Sequence, residues 1–166
     1  MCDRSPCRTG PRGRLEVVAA VVWVDPGRLV VQRRPPTAAF GPGACEFVGG
    51  KVEPGESLRA ALLRELTEEW GRAARAVVLG PPLASTTFEY EDGPRVRLHL
   101  FHACVAGLDD PSSIVRLADG AMAGRLACVH RSALAAEHFL AADRRVVAAL
   151  RDGTIRWPFG PGAPPA

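Results

Sequence analysis

A glycine-rich loop that runs into a helix, residues 49–71, constrains this chain more than any other stretch. Its sequence is GGKVEPGESLRAALLRELTEEWG, and the helical part carries Glu65, Glu68 and Glu69 near its end. Positions i, i+3 and i+4 lie on one face of a helix, so we expect these carboxylates to converge. Repulsion between such like charges destabilises an isolated helix by about 0.2–0.5 kcal/mol per pair. A cation among the carboxylates would offset that cost, so the pattern predicts a metal site.

The opposite face of the same helix is predicted to pack against a core. Apolar residues recur there at four-residue steps, at Leu58, Leu62, Leu66 and Trp70, and such a stripe is typical of a helix buried on one side. Ser57 is suited to the N-cap, and Gly71 is suited to the position after the last turn. We therefore predict a helix over residues 57–70 that is held by one face and presents carboxylates on the other.

Length and composition fit one globular domain. The chain has 166 residues with 47% hydrophobic content, enough to bury a core. A net charge of +3 is small and mixed in sign, which favours a solvated surface over binding of a nucleic-acid polymer. No apolar run approaches the roughly 18 residues of a membrane span, so we expect no membrane partner and a cytoplasmic location. Five cysteines at irregular spacings predict reduced thiols.

We predict a folded domain over residues 15–156, with flexible tails at residues 1–14 and 157–166, because both ends are rich in Pro and Gly. Residues 107–125 are expected to be loop. A second helical region is expected over residues 131–150, interrupted near Phe139. Apolar and β-branched runs predict strands at residues 15–24, 28–34, 45–48, 76–79, 84–90, 96–105 and 126–129. Strands that alternate with two substantial helices indicate a mixed sheet covered on both faces.

The central motif resembles a known family signature. Gly50, five residues, Glu56, seven residues, and then RELTEEWG from Arg64 onward resembles the signature of the Nudix hydrolases. The resemblance extends over residues 15–150, and the segments FEYEDGPRVRLHLF and FLAADRRVVAAL are similar to the MutT-like and CTP pyrophosphohydrolase-like branch. Arg72 stands where the family usually has an aliphatic residue. The resemblance implies an α/β fold, a Nudix-type α/β/α sandwich with a mixed β-sheet.

The resemblance also implies a chemistry and a set of site residues. Nudix enzymes hydrolyse a nucleoside diphosphate linked to another group, with Mg²⁺ or Mn²⁺ as cofactor. By matching motif positions, the metal ligands would be Glu65, Glu68, Glu69 and the Gly49 carbonyl, with Glu56 in an outer-shell or loop-ordering role. Arg64 would anchor the loop through a salt bridge, and Lys51 would bind substrate.

Three assignments stay open at this stage. Of the adjacent Arg33 and Arg34, the resemblance places one near the phosphates, and we favour Arg34 over the alternative of an exposed strand-end pair. The general base is either Asp119 or a helix glutamate, because the loop where relatives carry a glutamate has none here. Asp143 is either a helix N-cap or a group that accepts a hydrogen bond from an exocyclic amine of the base.

The leading functional hypothesis is hydrolysis of an oxidised or modified nucleoside triphosphate, such as 8-oxo-dGTP, to the monophosphate and pyrophosphate. Such a reaction would sanitise the nucleotide pool. The alternative within enzymes is a substrate of the CTP or ADP-ribose type. The alternative of another class is a non-catalytic nucleotide-binding regulator. The expected partner is the nucleotide, and the expected assembly is a monomer or homodimer.

Overall fold

The computed structural model describes residues 14–91 and 94–160. Within these ranges the strands are β1 Arg14–Asp25, β2 Arg28–Arg33, β3 Cys45–Glu46, β4 Val48–Lys51, β5 Val77–Glu89, β6 Arg95–Val105 and β7 Leu126–His130. The α-helices are α1 Leu58–Trp70, α2 Ile114–Leu117 and α3 Arg144–Asp152. None of the helices formed by these residues has the length and apolar character needed to cross a bilayer.

Strand β1 is the centre of one mixed sheet. It runs parallel to β6, in a register from Arg14 opposite Arg95 to Trp23 opposite Cys104. Its other edge pairs antiparallel with β2 and with β4. Strand β5 continues the sheet beyond β6, and β7 pairs with the far edge of β2. The run from Val18 to Val24 is buried throughout, which explains why its sequence is continuously apolar rather than alternating.

Alternate residues of β1 enter two separate cores. One side packs on α1, through Val18, Ala20, Val22, Leu62, Leu66 and Trp70. The other side packs on α3, through Ala19, Val21, Trp23, Val146, Val147 and Leu150. Helices therefore cover both faces of the sheet, and the predicted α/β/α sandwich with a mixed sheet is confirmed.

The helix predicted over residues 57–70 is also confirmed. Helix α1 begins at Leu58, and the Ser57 side chain caps it by accepting a hydrogen bond of 3.2 Å from the Ala60 amide. It ends at Gly71, whose φ of 57° lies in the region that favours glycine. Both boundary residues thus act as their chemistry indicates.

The helical prediction for residues 131–150 is only partly right, although the interruption expected near Phe139 is present. Only α3 is α-helical there, preceded by single 3-10 turns at Arg131–Ala133 and Ala136–His138. Phe139 forms a parallel bridge with Cys45, and the Leu140 amide donates to the Cys45 carbonyl at 3.2 Å. Pairing with β3 thus replaces the helix that the alanine-rich sequence favours.

Two strand and loop predictions are corrected as well. The strands expected at residues 76–79 and 84–90 are one strand, β5, whose register shifts around Pro82. It lies at the edge of the sheet, where proline is tolerated. Residues 107–125 are not entirely loop, because a 3-10 turn at Pro111–Ser113 leads into α2. The Asp110 side chain begins that turn by accepting from the Ser112 amide.

The C-terminal segment packs on the domain up to Phe159. The ring centroids of Trp157 and Phe159 lie 4.9 Å apart. Trp157 also contacts Trp23 edge to face, with ring centroids 6.2 Å apart. The predicted domain boundary at residue 156 therefore moves toward the C-terminus, because these aromatic rings bury apolar surface against the α3-side core. The rest of the predicted tails, residues 1–13 and 161–166, lies outside the described residues.

The buried Phe159 predicts a coupled stability effect. Phe159→Ala should lower the free energy of unfolding by about 3 kcal/mol, the loss typical of a truncated core aromatic. Gly80→Ala should cost about 1–3 kcal/mol by overpacking, because a Cβ at Gly80 would lie 2.6 Å from the Phe159 ring. In the double variant the second change should cost much less, since the ring is gone. Urea unfolding measures all three, with the exposed Leu117→Ala as control; strictly additive losses would contradict the packing.

Candidate active site

A cavity of about 380 Å³ opens beside the glycine-rich loop. Its walls come from β1, β4 and β6 and from the chain before α3. They are largely apolar, with Val17, Val96, Leu98 and Leu140 among the lining residues. Four charged side chains also line it: Arg34, Glu46, Lys51 and Asp143. Gly49, Gly50 and Lys51 form the end of the cavity that adjoins α1. A mostly apolar lining with a few charged groups is typical of a pocket that binds a small molecule.

Close packing explains the two glycines of the loop. A Cβ at Gly49 would overlap the Val18 carbonyl of β1, and a Cβ at Gly50 would overlap the Glu65 carboxyl group. A side chain at either position would push the loop off β1 or off α1. Both glycines lie in β4, paired with β1, and the absence of side chains lets this start of the glycine-rich segment lie against the carboxylate face of α1.

Arg64 fixes that loop to the helix. Its guanidinium donates to the Lys51 carbonyl at 2.9 Å, to both oxygens of Glu56 at 3.1 Å, and to Glu65 at 2.9 Å. The predicted salt bridge from Arg64 to the loop is thus present. The Arg64 guanidinium also holds the pKa of Glu56 below its usual range. Glu56 is therefore engaged in ordering the loop and is poorly placed to serve as a ligand.

Glu69 lies in a different environment from Glu56. Its carboxylate accepts from the Gln32 amide at 2.8 Å and from the Gly49 backbone. Both donors are neutral, and burial raises the pKa of Glu69 to about 7, against the effect of the Gln32 hydrogen bond and with added repulsion from Glu46 and Glu65. The site thus contains a partly buried carboxylate that, within the described ranges, accepts no hydrogen bond from a cationic side chain.

Gln32 is a functional residue that the sequence analysis missed. It is only 1% exposed, and its amide oxygen accepts from the Trp70 indole at 2.7 Å. Its amide nitrogen donates to Glu69 and also to Glu46, at 3.2 Å. The signal available in the sequence was a polar residue on the α1 face of an otherwise apolar strand, RLVVQR.

The predicted convergence of three helix carboxylates is not confirmed. In the part of the chain that the structure describes, no group of three or more His, Cys, Asp or Glu side chains is arranged to hold a metal ion. Glu65 lies on the loop beside Gly50, whereas the Glu68 side chain is exposed and 3.5 Å from Arg64. The donor chemistry nevertheless fits Mg²⁺ or Mn²⁺, because carboxylate and backbone carbonyl oxygens are the ligands that Mg²⁺ prefers. A cation would also relieve the buried charge of Glu69.

Asp143 and Glu46 form the polar end of the cavity. Asp143 is 5% exposed, and burial raises its pKa to about 7, with further repulsion from Glu46. Both Glu46 oxygens already accept hydrogen bonds, one from Gln32 and one from Arg34. Asp143 occupies the N-cap position of α3, and its carbonyl accepts the first helical hydrogen bond from the Val147 amide at 3.0 Å, but its side chain makes no capping bond. The carboxyl of Asp143 therefore lines the cavity with hydrogen-bonding capacity to spare.

The arginines near the cavity have distinct positions. Arg34 lines the cavity and pairs with Glu46 at 2.6 Å. Arg33 is exposed and lines a neighbouring groove with Arg125 instead. Lys51 is exposed at the end of β4, where it lines the cavity beside the loop. The Arg34 charge is therefore largely neutralised by Glu46. Lys51 is better placed than Arg34 to bind a phosphate.

Asp119 lies at the C-terminal end of α1 rather than in the cavity lining. Its carboxylate accepts from the Arg72 amide and from the Arg72 guanidinium. These two donors hold the pKa of Asp119 below its usual range. Asp119 therefore fixes the chain where it leaves α1. Arg72, the residue that departs from the family pattern, has a structural role in this contact.

The fold and the site define a class: α/β/α sandwiches in which a glycine-rich loop and an acidic helix border a pocket. A family model of the NUDIX domain matches residues 13–149, and the chain belongs to this family. The MutT protein from Methanosarcina mazei Go1 has the same fold, with a TM-score of 0.66 at 20% identity over 88% of this chain and 99% of that one.

Two curated relatives are similar over part of the chain. The CTP pyrophosphohydrolase of Escherichia coli is 44% identical over 88 residues, 53% of this chain and 61% of that protein. A Mycobacterium tuberculosis protein provisionally named 8-oxo-dGTP diphosphatase 2 is 46% identical over 65 residues, 39% of this chain and 44% of that protein. The match thus spans less than two thirds of the length of each of these relatives.

The position of Asp119 predicts a pH-dependent effect on stability. Asp119→Asn should lower the melting temperature near pH 7, because the amide cannot replace an ionised acceptor for Arg72. Since the folded-state pKa of Asp119 lies below the ordinary 3.8, its stabilisation is present above that value and is lost as pH falls through the lowered pKa. The gap between the wild type and the variant should therefore close in acid. Calorimetry from pH 3 to 7, with the exposed Asp109→Asn as control, tests this; a constant gap would contradict it.

Proposed function

We propose that this chain is a nucleoside triphosphate pyrophosphohydrolase that releases a nucleoside monophosphate and pyrophosphate. The observation that carries the proposal is the juxtaposition of two features. An apolar cavity is lined by a buried carboxyl, Asp143, and also by Gly49 and Gly50, against which Glu65 and Glu69 pack. The first feature suits a base and the second suits a phosphate chain. Membership of the NUDIX family supports the same reaction class.

A divalent cation, Mg²⁺ or Mn²⁺, would be held by the oxygens of Gly49, Glu65, Glu68 and Glu69, where it would neutralise phosphate charge and acidify water. The residues of the chain do the rest. The apolar walls hold the base and exclude water. Lys51 attracts the phosphates at the loop. Arg64 keeps the loop in place, and a helix carboxylate accepts the proton of the attacking water, because Asp119 is occupied by Arg72.

The bond that breaks is a phosphoric anhydride. Water attacks phosphorus, its proton passes to a helix carboxylate, and the pyrophosphate oxygen leaves with the electrons of the anhydride bond. The Gln32 amide keeps Glu69 oriented at 2.8 Å while this happens. A non-catalytic regulator would have no use for a partly buried carboxylate beside the loop that is held by the neutral Gln32 amide.

Base selection is assigned to Asp143. With a pKa of about 7, its carboxyl is partly protonated at neutral pH and presents both a donor and an acceptor, which corrects the expectation of an acceptor alone. Such a group matches a base that carries an exocyclic amine beside a ring nitrogen. The leading substrate is an oxidised guanine nucleotide such as 8-oxo-dGTP, whose removal would keep damaged nucleotides out of DNA.

CTP is the second candidate substrate. Cytosine presents an exocyclic amine next to an acceptor ring nitrogen, which a neutral carboxyl can engage with both oxygens. The similarity to the Escherichia coli CTP pyrophosphohydrolase favours this candidate. Release of pyrophosphate from a panel of nucleoside triphosphates ranks the two.

Replacing Glu69 tests the proposed chemistry. Glu69→Gln should lower kcat by about 10³, because electrostatic groups that act on the transition state are typically worth several kcal/mol. The fold should survive, since the carboxylate faces away from the leucine stripe of α1. Glu53 is an exposed residue of the same loop. The variant Glu53→Gln is therefore a matched control, and its kcat should be near normal. Near-normal turnover of a folded Glu69→Gln protein at saturating Mg²⁺ would contradict the assignment of Glu69 to the proposed chemistry.

Replacing Asp143 tests base selection. In the wild type, kcat/KM for 8-oxo-dGTP and CTP should exceed that for UTP and dTTP by roughly 10- to 100-fold, the scale of one unpaired buried polar group. Asp143→Ala should flatten that ranking while leaving poor substrates almost unchanged. Asp152→Ala, at the other end of α3, should keep the wild-type ranking. A variant that retains the ranking and merely melts earlier would show that Asp143 does not contact the base.

A further inference from the structure

Phe40 is a large aromatic residue whose side chain is left partly uncovered by the residues around it. Its side chain is 46% exposed, and among the described residues only Leu63, at 51%, and Leu117 are comparable large hydrophobic residues. Phe40 differs from both because it lines the cavity that we assign to the base. An aromatic ring left in water costs free energy that burial would recover, so a planar ligand in the cavity would gain from covering it.

A second ring completes the feature. Phe40 contacts Tyr90 edge to face, with ring centroids 4.6 Å apart at 85°. Tyr90 also lines the cavity and contacts Phe88 of β5 at 4.7 Å. Phe40 comes from the loop after β2, whereas Tyr90 directly follows β5, so segments distant in sequence meet here. We call Phe40 and Tyr90 the aromatic roof.

Arg34 ties the roof to a cavity carboxyl. Arg34 donates from Nε to the Phe40 carbonyl at 2.9 Å and from Nη1 to Glu46 at 2.6 Å. Tyr90 lines the same cavity as Ala142 and Asp143. The loop also packs closely behind Phe40, because a Cβ at Gly41, where φ is 54°, would overlap Leu140. The roof is therefore positioned by the same groups that form the polar end of the cavity.

We propose that the Phe40 ring of the aromatic roof stacks on the base of the bound nucleotide, that Tyr90 supports this ring edge to face, and that Arg34 is a positioning residue for the roof rather than a phosphate ligand. The inference rests on the proposed function for the identity of the ligand. Stacking between a base and an aromatic side chain typically strengthens binding about tenfold or more. Arg34 suits the positioning role because its fork makes two fixed hydrogen bonds, one to the loop and one to Glu46.

Metal-free calorimetry tests the stacking without relying on turnover. The probes are CMP and 8-oxo-dGMP, each with its nucleoside. Phe40→Ala should weaken binding of the better monophosphate by about 10- to 30-fold, and Phe40→Trp should restore it. Leu63→Ala, an equally exposed residue outside the cavity, should bind as the wild type does. In turnover, Phe40→Ala should raise KM and leave kcat within about threefold, because stacking acts equally on the ground state and the transition state.

Arg34→Lys separates the positioning role from phosphate binding. Lysine keeps the positive charge but lacks the planar guanidinium that makes two hydrogen bonds in fixed directions. If Arg34 positions the roof, the variant should weaken the nucleoside and the monophosphate by the same factor, and adding Phe40→Ala should cause little further loss. If Arg34 binds phosphate, lysine should weaken only the monophosphate, and the two substitutions should have additive effects.

The outcomes also separate this inference from the proposed function. Wild-type affinity in Phe40→Ala, in a protein that hydrolyses nucleoside triphosphates, overturns the roof and leaves the function intact. Weakened nucleoside binding in Phe40→Ala, in a protein without pyrophosphohydrolase activity, supports the roof and overturns the function. Failure of the wild type to bind AMP, CMP, GMP, UMP and 8-oxo-dGMP overturns the roof, since no base would then occupy the cavity.

Discussion

The buried amide of Gln32 joins the two halves of the site. It accepts from Trp70 of α1 and donates to Glu69 on the same helix and to Glu46 of β3. One side chain therefore fixes the distance between the carboxylate that borders the loop and the carboxylate that borders the cavity. A neutral amide performs this role without balancing the charge of either group. The position of α1 against the sheet and the charge of the site consequently depend on the same three hydrogen bonds.

That charge is the second organising feature. Burial raises the pKa of both Glu69 and Asp143 to about 7. Arg34 balances Glu46, and Arg64 balances Glu56 and Glu65. The remaining negative charge lies where a ligand would arrive, beside the loop and at the end of the cavity. Buried unpaired carboxylates are costly, and a cation at one place and a hydrogen-bonding base at the other would reduce both costs.

Local sequence predicts the parts of this site that are local in the chain. The loop, the caps of α1 and the apolar stripe all lie within residues 49–71, so spacing and residue type were enough. The contact between Asp143, Glu46 and Arg34 joins three distant segments, and no spacing rule connects them. For the same reason Gln32 and the pairing of Phe40 with Tyr90 were not foreseen. The helix expected over residues 131–150 formed only in part because a long-range bridge from Phe139 to Cys45 outweighed local propensity.

The acidic helix also shows why residue type alone assigns roles poorly. Glu65 and Glu69 belong to the same face, yet Arg64 donates to Glu65 at 2.9 Å, whereas Glu69 is held by Gln32 and the Gly49 backbone. The Glu65 carboxylate is paired with a guanidinium and has a fixed place, which suits it to hold the loop. Glu69 is held by a neutral amide and burial raises its pKa, which suits it to bind a cation or to exchange a proton. The different roles of Glu65 and Glu69 on α1 therefore follow from the groups that each glutamate contacts.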